Sequence, residues 1–213
     1  MAEDRLKIWE ALFQRALALI DSVAKLGARF EPWSLGGGTV LMRKYRHRFS
    51  KDIDIFVPDP QLLGYVCPRL NDTAESMTGD YLEQANFLKL RFPEGEIDFI
   101  ASAPLTANPT VPENLFGREV QVETATEIIA KKLWHRGAEF RARDIFDLAL
   151  VAEKEPRALR EIEPVLKDRR DAVLARIANV DKQLRDEFAQ LEVFDYHADY
   201  DACLAILKKT FSL

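Results

Sequence analysis

Two short stretches decide the fold: LGGGT at Leu35–Thr39 and SKDIDIF at Ser50–Phe56. Side chains of an extended strand alternate between two faces, so Asp52 and Asp54 project from one face and the isoleucines from the other. Two carboxylates about 4 Å apart repel by roughly 4 kcal/mol at an effective dielectric constant near 20. A divalent cation would remove this cost, and carboxylate oxygens favour Mg²⁺ or Mn²⁺ over zinc.

The glycines are suited to a phosphate-binding loop. Gly36, Gly37 and Gly38 let the backbone approach phosphate oxygens, and a helix predicted from Thr39 offers free N–H groups to an anion. Such turns also occur as plain strand-to-helix connections. The motif is neither a P-loop nor a dinucleotide-binding fingerprint. Loop and aspartates together predict a site for a metal-bound triphosphate, and Ser50 is a further candidate phosphate contact.

A third carboxylate follows in another predicted strand. Residues Phe87–Phe92 alternate between apolar and polar, PEGE at Pro93–Glu96 is turn-like, and Asp98 has apolar neighbours as Asp54 has. We expect a hairpin that returns Asp98 to the same sheet. Asp98 could also be an exposed polar residue of a half-buried strand, but the presence of the Asp52 and Asp54 pair favours a metal site.

These motifs, with IAKKL at Ile129–Leu133 and RDIFDL at Arg143–Leu148, resemble the AbiEii/AbiGii-type toxin nucleotidyltransferases, a branch of the DNA polymerase β-like superfamily. The resemblance extends from the first glycine to about Leu150. Members often have serine where this chain has Thr39, which keeps the hydroxyl. The resemblance implies an α+β fold: a nucleotidyltransferase core with a small mixed β-sheet flanked by helices, followed by a C-terminal helical bundle.

The resemblance also implies roles for particular residues. A nucleoside monophosphate would pass from an NTP to an acceptor with release of pyrophosphate, and Asp98 would be the base. The implied metal ligands are Asp52, Asp54 and Asp98, which with Lys132 form the catalytic set. The implied nucleotide-binding residues are Gly37, Gly38, Thr39, Ser50, Lys132, Arg136 and Asp144.

The helical region beyond residue 123 adds basic and acidic side chains. Lys132 and Arg136 are one turn apart and share a face, and a break near Gly137 would give two short helices. Lys132 and Arg136 are interpreted as a phosphate clamp that Asp144 or Asp147 orients. Surface ion pairs worth a few tenths of a kcal/mol are the alternative. The roles of Arg143 and Asp147 stay open.

A basic run at Arg43–Lys51 lies between loop and strand in a chain of net charge −5. The overall acidity argues against indiscriminate polyanion binding. The run could steer a triphosphate or an RNA backbone, or it could be a solvated helix end that neutralises nearby aspartates.

The length of 213 residues allows a core with an appended helical part. We expect a nucleotidyltransferase core at residues 1–122, which begins with an amphipathic helix, and a helical domain at 123–213 that completes the active site. Proline-rich Leu105–Gly117 is expected to be an irregular connection.

Composition favours a reducing, cytoplasmic location. Cys67 and Cys203 lack metal-ligand spacing, and no signal peptide or membrane-length apolar run is present. His47, His135 and His197 are expected to be surface or capping residues.

The sequence leaves two classes of function. The first is an NTP-dependent toxin that modifies RNA, with tRNA favoured, or a protein hydroxyl, and that has a cognate antitoxin. The second is a non-catalytic nucleotide-binding module. Phosphoryl transfer on the same fold is a further alternative, but three mutually repelling carboxylates favour the enzyme.

Overall fold

The computed structural model describes residues 6–212 of the chain, which divide into two units. The first unit comprises the described residues up to Arg43 together with Ser50–Pro104 and Thr110–Glu123. The second comprises Lys44–Phe49, Leu105–Pro109 and the described residues from Thr124 onward. The division predicted from the sequence, at residues 1–122 and 123–213, assigns Lys44–Phe49 and Leu105–Pro109 to the core. In the structure both segments belong to the second unit.

The first unit is built on a mixed sheet, which has seven strands within the described residues. Its strand order is β3-β4-β5-β2-β1-β7-β6; the pairs β1–β7 and β2–β5 are parallel, and the other pairs are antiparallel. The strands are β1 (Ser34–Gly36), β2 (Ile53–Val57), β3 (Tyr81–Glu83), β4 (Phe87–Phe92), β5 (Gly95–Ala101), β6 (Thr110–Leu115) and β7 (Arg118–Glu123).

Three helices accompany the sheet: α1 (Ile8–Ser22), α2 (Gly37–Tyr45), which continues into the second unit, and α3 (Asp72–Met77). Helix α1 packs against β2 and β5 through its predicted apolar face, where Leu12 and Phe13 are fully buried. Short 3₁₀ turns occupy Val23–Leu26 and Pro60–Val66. The predicted α+β class with a mixed sheet and flanking helices is confirmed.

Two predicted segments of the first unit have different outcomes. The β4–β5 hairpin is confirmed, with Phe92 opposite Gly95 at its turn. The irregular connection expected at Leu105–Gly117 is wrong in its second half, which forms strand β6. This strand contains Pro112, and its place at the edge of the sheet explains why a residue without an N–H is tolerated.

The second unit is helical in its C-terminal part. Thr124 caps the first of its helices by accepting the Glu127 N–H at 3.2 Å, and a 3₁₀ turn at Gly137–Glu139 gives the break predicted near Gly137. Another 3₁₀ turn lies at Ala158–Ile162. The helices are α4 (Ala125–Arg136), α5 (Ala142–Lys154), α6 (Glu163–Ala189), which is interrupted at Val180, and α7 (Tyr200–Thr210). Among the described residues, no helix combines the length and apolarity needed to cross a membrane.

Candidate active site

Strand pairing places the two central carboxylates side by side. Asp54 on β2 is the direct partner of Asp98 on the parallel strand β5, and Gly36 on β1 is the partner of Asp54 on its other side. Partners on adjacent strands project from the same face of a sheet. The β4–β5 hairpin therefore returns Asp98 to the face that carries Asp54, as the alternation in the sequence predicts.

The Asp98 carboxylate lies in an environment that disfavours its charge. Burial, and next the charge of Asp54, raise the pKa of Asp98 to about 6. Lys89 on β4 offsets part of this effect by donating a hydrogen bond to Asp98 Oδ2 at 2.9 Å, and it also binds Glu96. The other oxygen, Oδ1, is buried and has no hydrogen-bond partner in the described structure. A buried carboxylate oxygen without a partner is a suitable ligand for a cation.

The backbone at Gly37 makes room for Asp54. Gly37 has a left-handed φ of 76°, and a Cβ atom placed on it would lie 1.8 Å from Asp54 Oδ2. Only glycine satisfies both conditions, since a side chain would strain the backbone and displace the carboxylate. Helix α2 begins at the same residue, so its first N–H groups start beside Asp54.

Thr39, Ser50 and Asp52 form a linked group beside this loop. The Thr39 hydroxyl is buried and donates to the Asp52 carbonyl at 2.6 Å, with the Ser50 hydroxyl 3.2 Å away. Asp52 precedes β2, and its Oδ1 accepts the Glu96 N–H at 3.0 Å. The buried Thr39 hydroxyl thus helps to hold the start of β2. Its backbone N–H remains for the phosphate role.

No group of three or more His, Cys, Asp and Glu side chains within residues 6–212 forms a ready metal site. Two of the three aspartates have other partners: Asp52 accepts a backbone N–H, and Asp98 accepts a hydrogen bond from Lys89. The donor set nevertheless fits a hard divalent cation, because its atoms are carboxylate oxygens and Asp98 Oδ1 is buried without a partner.

The basic residues predicted from the helical region come together around Asp144 in the second unit. Lys132 Nζ lies 2.6 Å from Asp144 Oδ1, and Arg136 Nη1 lies 3.3 Å from the same oxygen. The Arg141 N–H donates to Asp144 Oδ2 at 3.2 Å, which fixes the start of α5. Burial would raise the pKa of Asp144, but the charges of Lys132 and Arg136 outweigh it and lower the pKa. Asp144 therefore acts as a buried anchor for two cations.

Asp147, one helical turn further on, is the centre of a second buried cluster. Arg48 binds both of its oxygens, with two nitrogen–oxygen distances of 2.7 Å, and His47 Nε2 lies 2.8 Å from Oδ1. Lys132 Nζ is 3.1 Å from Oδ2. Burial would raise the pKa of Asp147, but Arg48, then Lys132 and His47, hold it well below its ordinary value. The cluster ties the segment Lys44–Phe49 to α5.

These contacts correct one expectation and favour one of two alternatives that the sequence left open for the basic run. His47, expected at the surface or as a cap, is fully buried, and burial outweighs Asp147 to lower its pKa. The basic run at Arg43–Lys51 is largely paired with carboxylates instead of forming an open patch. Its ion pairs beyond Arg48 are Arg43–Glu113, Lys44–Glu155 and Arg46–Asp195.

Two residues near the carboxylates were missed in the sequence. Lys89 is an ordinary strand lysine until pairing places it opposite Asp98. Glu123, at the end of β7, is 3% exposed, accepts the Ser34 hydroxyl at 3.1 Å and covers Gly36, where a Cβ atom would lie 2.2 Å from Glu123 Oε2. Glu123 is recruited by a strand distant in sequence, so no local pattern marks it. Lys89 could have been found from the predicted β4–β5 hairpin, whose register places it opposite Asp98.

Comparison with known proteins identifies the family of the chain. A family model described as "Nucleotidyl transferase AbiEii toxin, Type IV TA system" matches residues 19–207. The chain belongs to this family. It is accordingly a nucleotidyltransferase of the AbiEii toxin type, as the sequence resemblance predicts. No curated protein sequence matches the chain significantly.

Solved structures support the fold of this AbiEii-family protein. MenT4, a nucleotidyltransferase toxin from Mycobacterium tuberculosis H37Rv, is 21% identical with a TM-score of 0.51, over 95% of this chain and 82% of MenT4. An H. pylori protein provisionally described as a nucleotidyltransferase is 17% identical with a TM-score of 0.50, over 100% of this chain and 96% of its own. At these identities the likeness concerns the fold.

Gly37→Ala is expected to abolish nucleotidyl transfer, with a loss of about 100-fold or more, because the new methyl group would displace the Asp54 carboxylate. Gly27→Ala is the matched control, since Gly27 has a similar φ of 74° and a Cβ atom placed on it would have nothing within 4 Å. Gly27→Ala should cost about 1 kcal/mol of stability and leave the transfer rate unchanged. Equal transfer rates in the two variants would contradict the proposed contact.

Arg48→Met should lower the free energy of unfolding by about 3–5 kcal/mol in urea denaturation, because it removes the principal partner of a buried carboxylate. Arg46→Met is the control: the Arg46–Asp195 pair is exposed, so its loss should change stability by less than about 1 kcal/mol. Similar losses of unfolding free energy in both variants would show that the buried Arg48–Asp147 pair contributes no more to stability than the exposed Arg46–Asp195 pair.

Proposed function

We propose that this AbiEii-family protein transfers a nucleoside monophosphate from an NTP to an RNA acceptor, tRNA being favoured, with a divalent cation held by its aspartates. The observation that carries the proposal is the registered pair Asp54 and Asp98 on one face of the sheet, beside the left-handed Gly37 that begins α2. Mutually repelling carboxylates next to free helix N–H groups favour a cation bridged to phosphate.

The proposed reaction is an in-line displacement at the α-phosphorus. An acceptor hydroxyl oxygen forms a bond to this phosphorus, the bond from phosphorus to the bridging oxygen of the β-phosphate breaks, and pyrophosphate leaves. Asp98, whose carboxylate lies on the same face of the sheet as Asp54, accepts the hydroxyl proton. The first N–H groups of α2 at Gly37–Thr39 hold phosphate oxygens, and Ser50 supports the loop.

Asp52, Asp54 and Asp98 are the residues proposed to hold Mg²⁺ or Mn²⁺. The cation would supply charge neutralisation at the attacking and leaving oxygens. Lys132 is proposed to neutralise the triphosphate, with Arg136 as a second cation. Asp144 is proposed to position both basic side chains. The Lys132–Asp144 and Arg136–Asp144 ion pairs and the family resemblance support these three roles.

Family membership supports a toxin role with a cognate antitoxin, because the family description names a type IV toxin–antitoxin system. An NTP substrate and an RNA acceptor place the proposed activity in the cytoplasm. The following experiment distinguishes transfer to RNA from transfer to a protein acceptor and from phosphoryl transfer.

Purified protein is incubated with Mg²⁺, each α-labelled or γ-labelled NTP, and either total RNA or cell lysate. We expect label from the α-phosphate, and none from the γ-phosphate, on RNA. Asp54→Asn should reduce this transfer by about 100-fold or more, because it removes a charge that the cation requires. Full activity of Asp54→Asn would contradict the metal site. Label from the γ-phosphate would identify phosphoryl transfer, and label on protein a different acceptor.

Lys89→Met should lower kcat about tenfold with a smaller change in KM for the NTP, because Lys89 positions the proposed base Asp98 without being assigned to the nucleotide. Arg91→Met is the matched control on the same strand, since Arg91 pairs with Asp80 and Glu96. Lys89→Arg should restore part of kcat. If Lys89→Met and Arg91→Met behave alike, Lys89 has no positioning role.

A further inference from the structure

The second unit contains a cavity of about 590 Å³ that the proposed reaction does not use. It lies between the segment before and at the start of α5 and one side of α6. Its volume is within the range typical of ligand-binding clefts. The charged and polar side chains that line it are Arg141, Arg143, Arg176, Glu139, Gln183 and Glu187.

The three arginines of the cavity differ from most others in the chain. Within residues 6–212, none of them forms an ion pair with a carboxylate, whereas most of the other described arginines do. Arg143 Nε is in addition buried without a hydrogen-bond partner in the described structure. A buried guanidinium N–H that lacks an acceptor is costly, so an anionic ligand would stabilise it.

Glu187 on α6, one of the two carboxylates that line the cavity, is already engaged. Glu187 accepts a hydrogen bond from the Gln183 side-chain amide at 2.7 Å and one from the Ala142 N–H at 3.5 Å. Glu187 therefore caps the start of α5, and this helix end is not what would attract a ligand. The attraction comes from guanidinium groups on two elements. Arg176 is held in place because its Nε donates to the Phe140 carbonyl at 3.4 Å.

Phosphate is the anion that this arrangement fits best. A guanidinium group presents a planar fork of N–H donors that matches phosphate oxygens, and several such forks around one cavity suit successive phosphates. The net charge of −5 makes non-specific attraction of nucleic acid weak, so binding would depend on this local group of unpaired arginines. Contacts to phosphates position a nucleic acid without reading its sequence.

We propose that the cavity lined by Arg141, Arg143 and Arg176 binds the phosphodiester backbone of the RNA acceptor. This inference rests on the proposed function for its choice of RNA. It adds a binding site that is separate in sequence from the carboxylates and glycines of the proposed transfer site. The cavity would hold the acceptor through backbone phosphates, while selection of the acceptor end depends on other contacts.

The test measures binding of a fluorescently labelled pool of deacylated bacterial tRNA by anisotropy, without NTP and in the Asp54→Asn background, so that no transfer occurs. Arg141→Gln/Arg176→Gln should weaken binding about 10- to 100-fold, because two charge-assisted contacts are lost. The slope of log K against log salt should fall by about 1 to 2 in magnitude. Arg143 is left intact because it adjoins Asp144.

Arg157→Gln/Arg160→Gln is the matched control, since it removes the same charge from two exposed arginines outside the cavity. It should bind tRNA within about threefold of the parent, as expected for charges that are largely screened. Thermal melting verifies folding; if the double variant melts early, the exposed single variant Arg141→Gln replaces it and should show about half the effect on the salt slope.

Failure of tRNA to bind the parent, unchanged binding in the cavity variant, or equal weakening in the two double variants would each overturn the inference. Failure of the proposed function gives a different pattern. In that case no label is transferred to RNA by the unmodified protein, whereas the dependence of tRNA binding on Arg141 and Arg176 is still observed.

Discussion

The central constraint in this protein is the fixed proximity of two carboxylates. The register of β2 and β5 makes Asp54 and Asp98 direct neighbours, and neither strand can slip by one residue without turning its buried isoleucine and phenylalanine side chains outward. The apolar face thus holds the charged face in place. The hydrophobic core supplies the free energy that keeps like charges together.

Neighbouring residues adapt to that constraint. Gly37 has no Cβ atom, which leaves room for Asp54 Oδ2. The Lys89 ammonium group donates a hydrogen bond to one oxygen of Asp98. The other oxygen of Asp98 stays buried without a partner. Asp147, in the second unit, presents the opposite case: its buried charge is fully matched by Arg48, Lys132 and His47. The matched cluster is suited to a structural role, whereas Asp98, with its buried Oδ1, is suited to binding a cation.

The parts of this arrangement that depend on local periodicity could be predicted from the sequence. Alternation placed Asp54 and Asp98 on the polar faces of strands, and the turn at Pro93–Glu96 joined β4 to β5. The break in the helical region near Gly137 could also be predicted from the sequence. The parts that depend on distant partners were not. Arg48 and Asp147 are 99 residues apart, so nothing near His47 or Arg48 indicated that both would be buried. Strand β6 was missed because Pro112 is tolerated only at a sheet edge, and edge position is a property of the whole sheet.

The most direct test of the central claim is a crystal structure with Mn²⁺ and an NTP analogue that cannot be cleaved between its α- and β-phosphates, with the metal located by anomalous scattering. We predict a Mn²⁺ peak bound by the Asp54 and Asp98 carboxylates, with the triphosphate at the first N–H groups of α2. The peak should be absent in Asp54→Asn crystals. A triphosphate bound away from Gly37–Thr39, or a metal that does not contact Asp54 and Asp98, would contradict the claim.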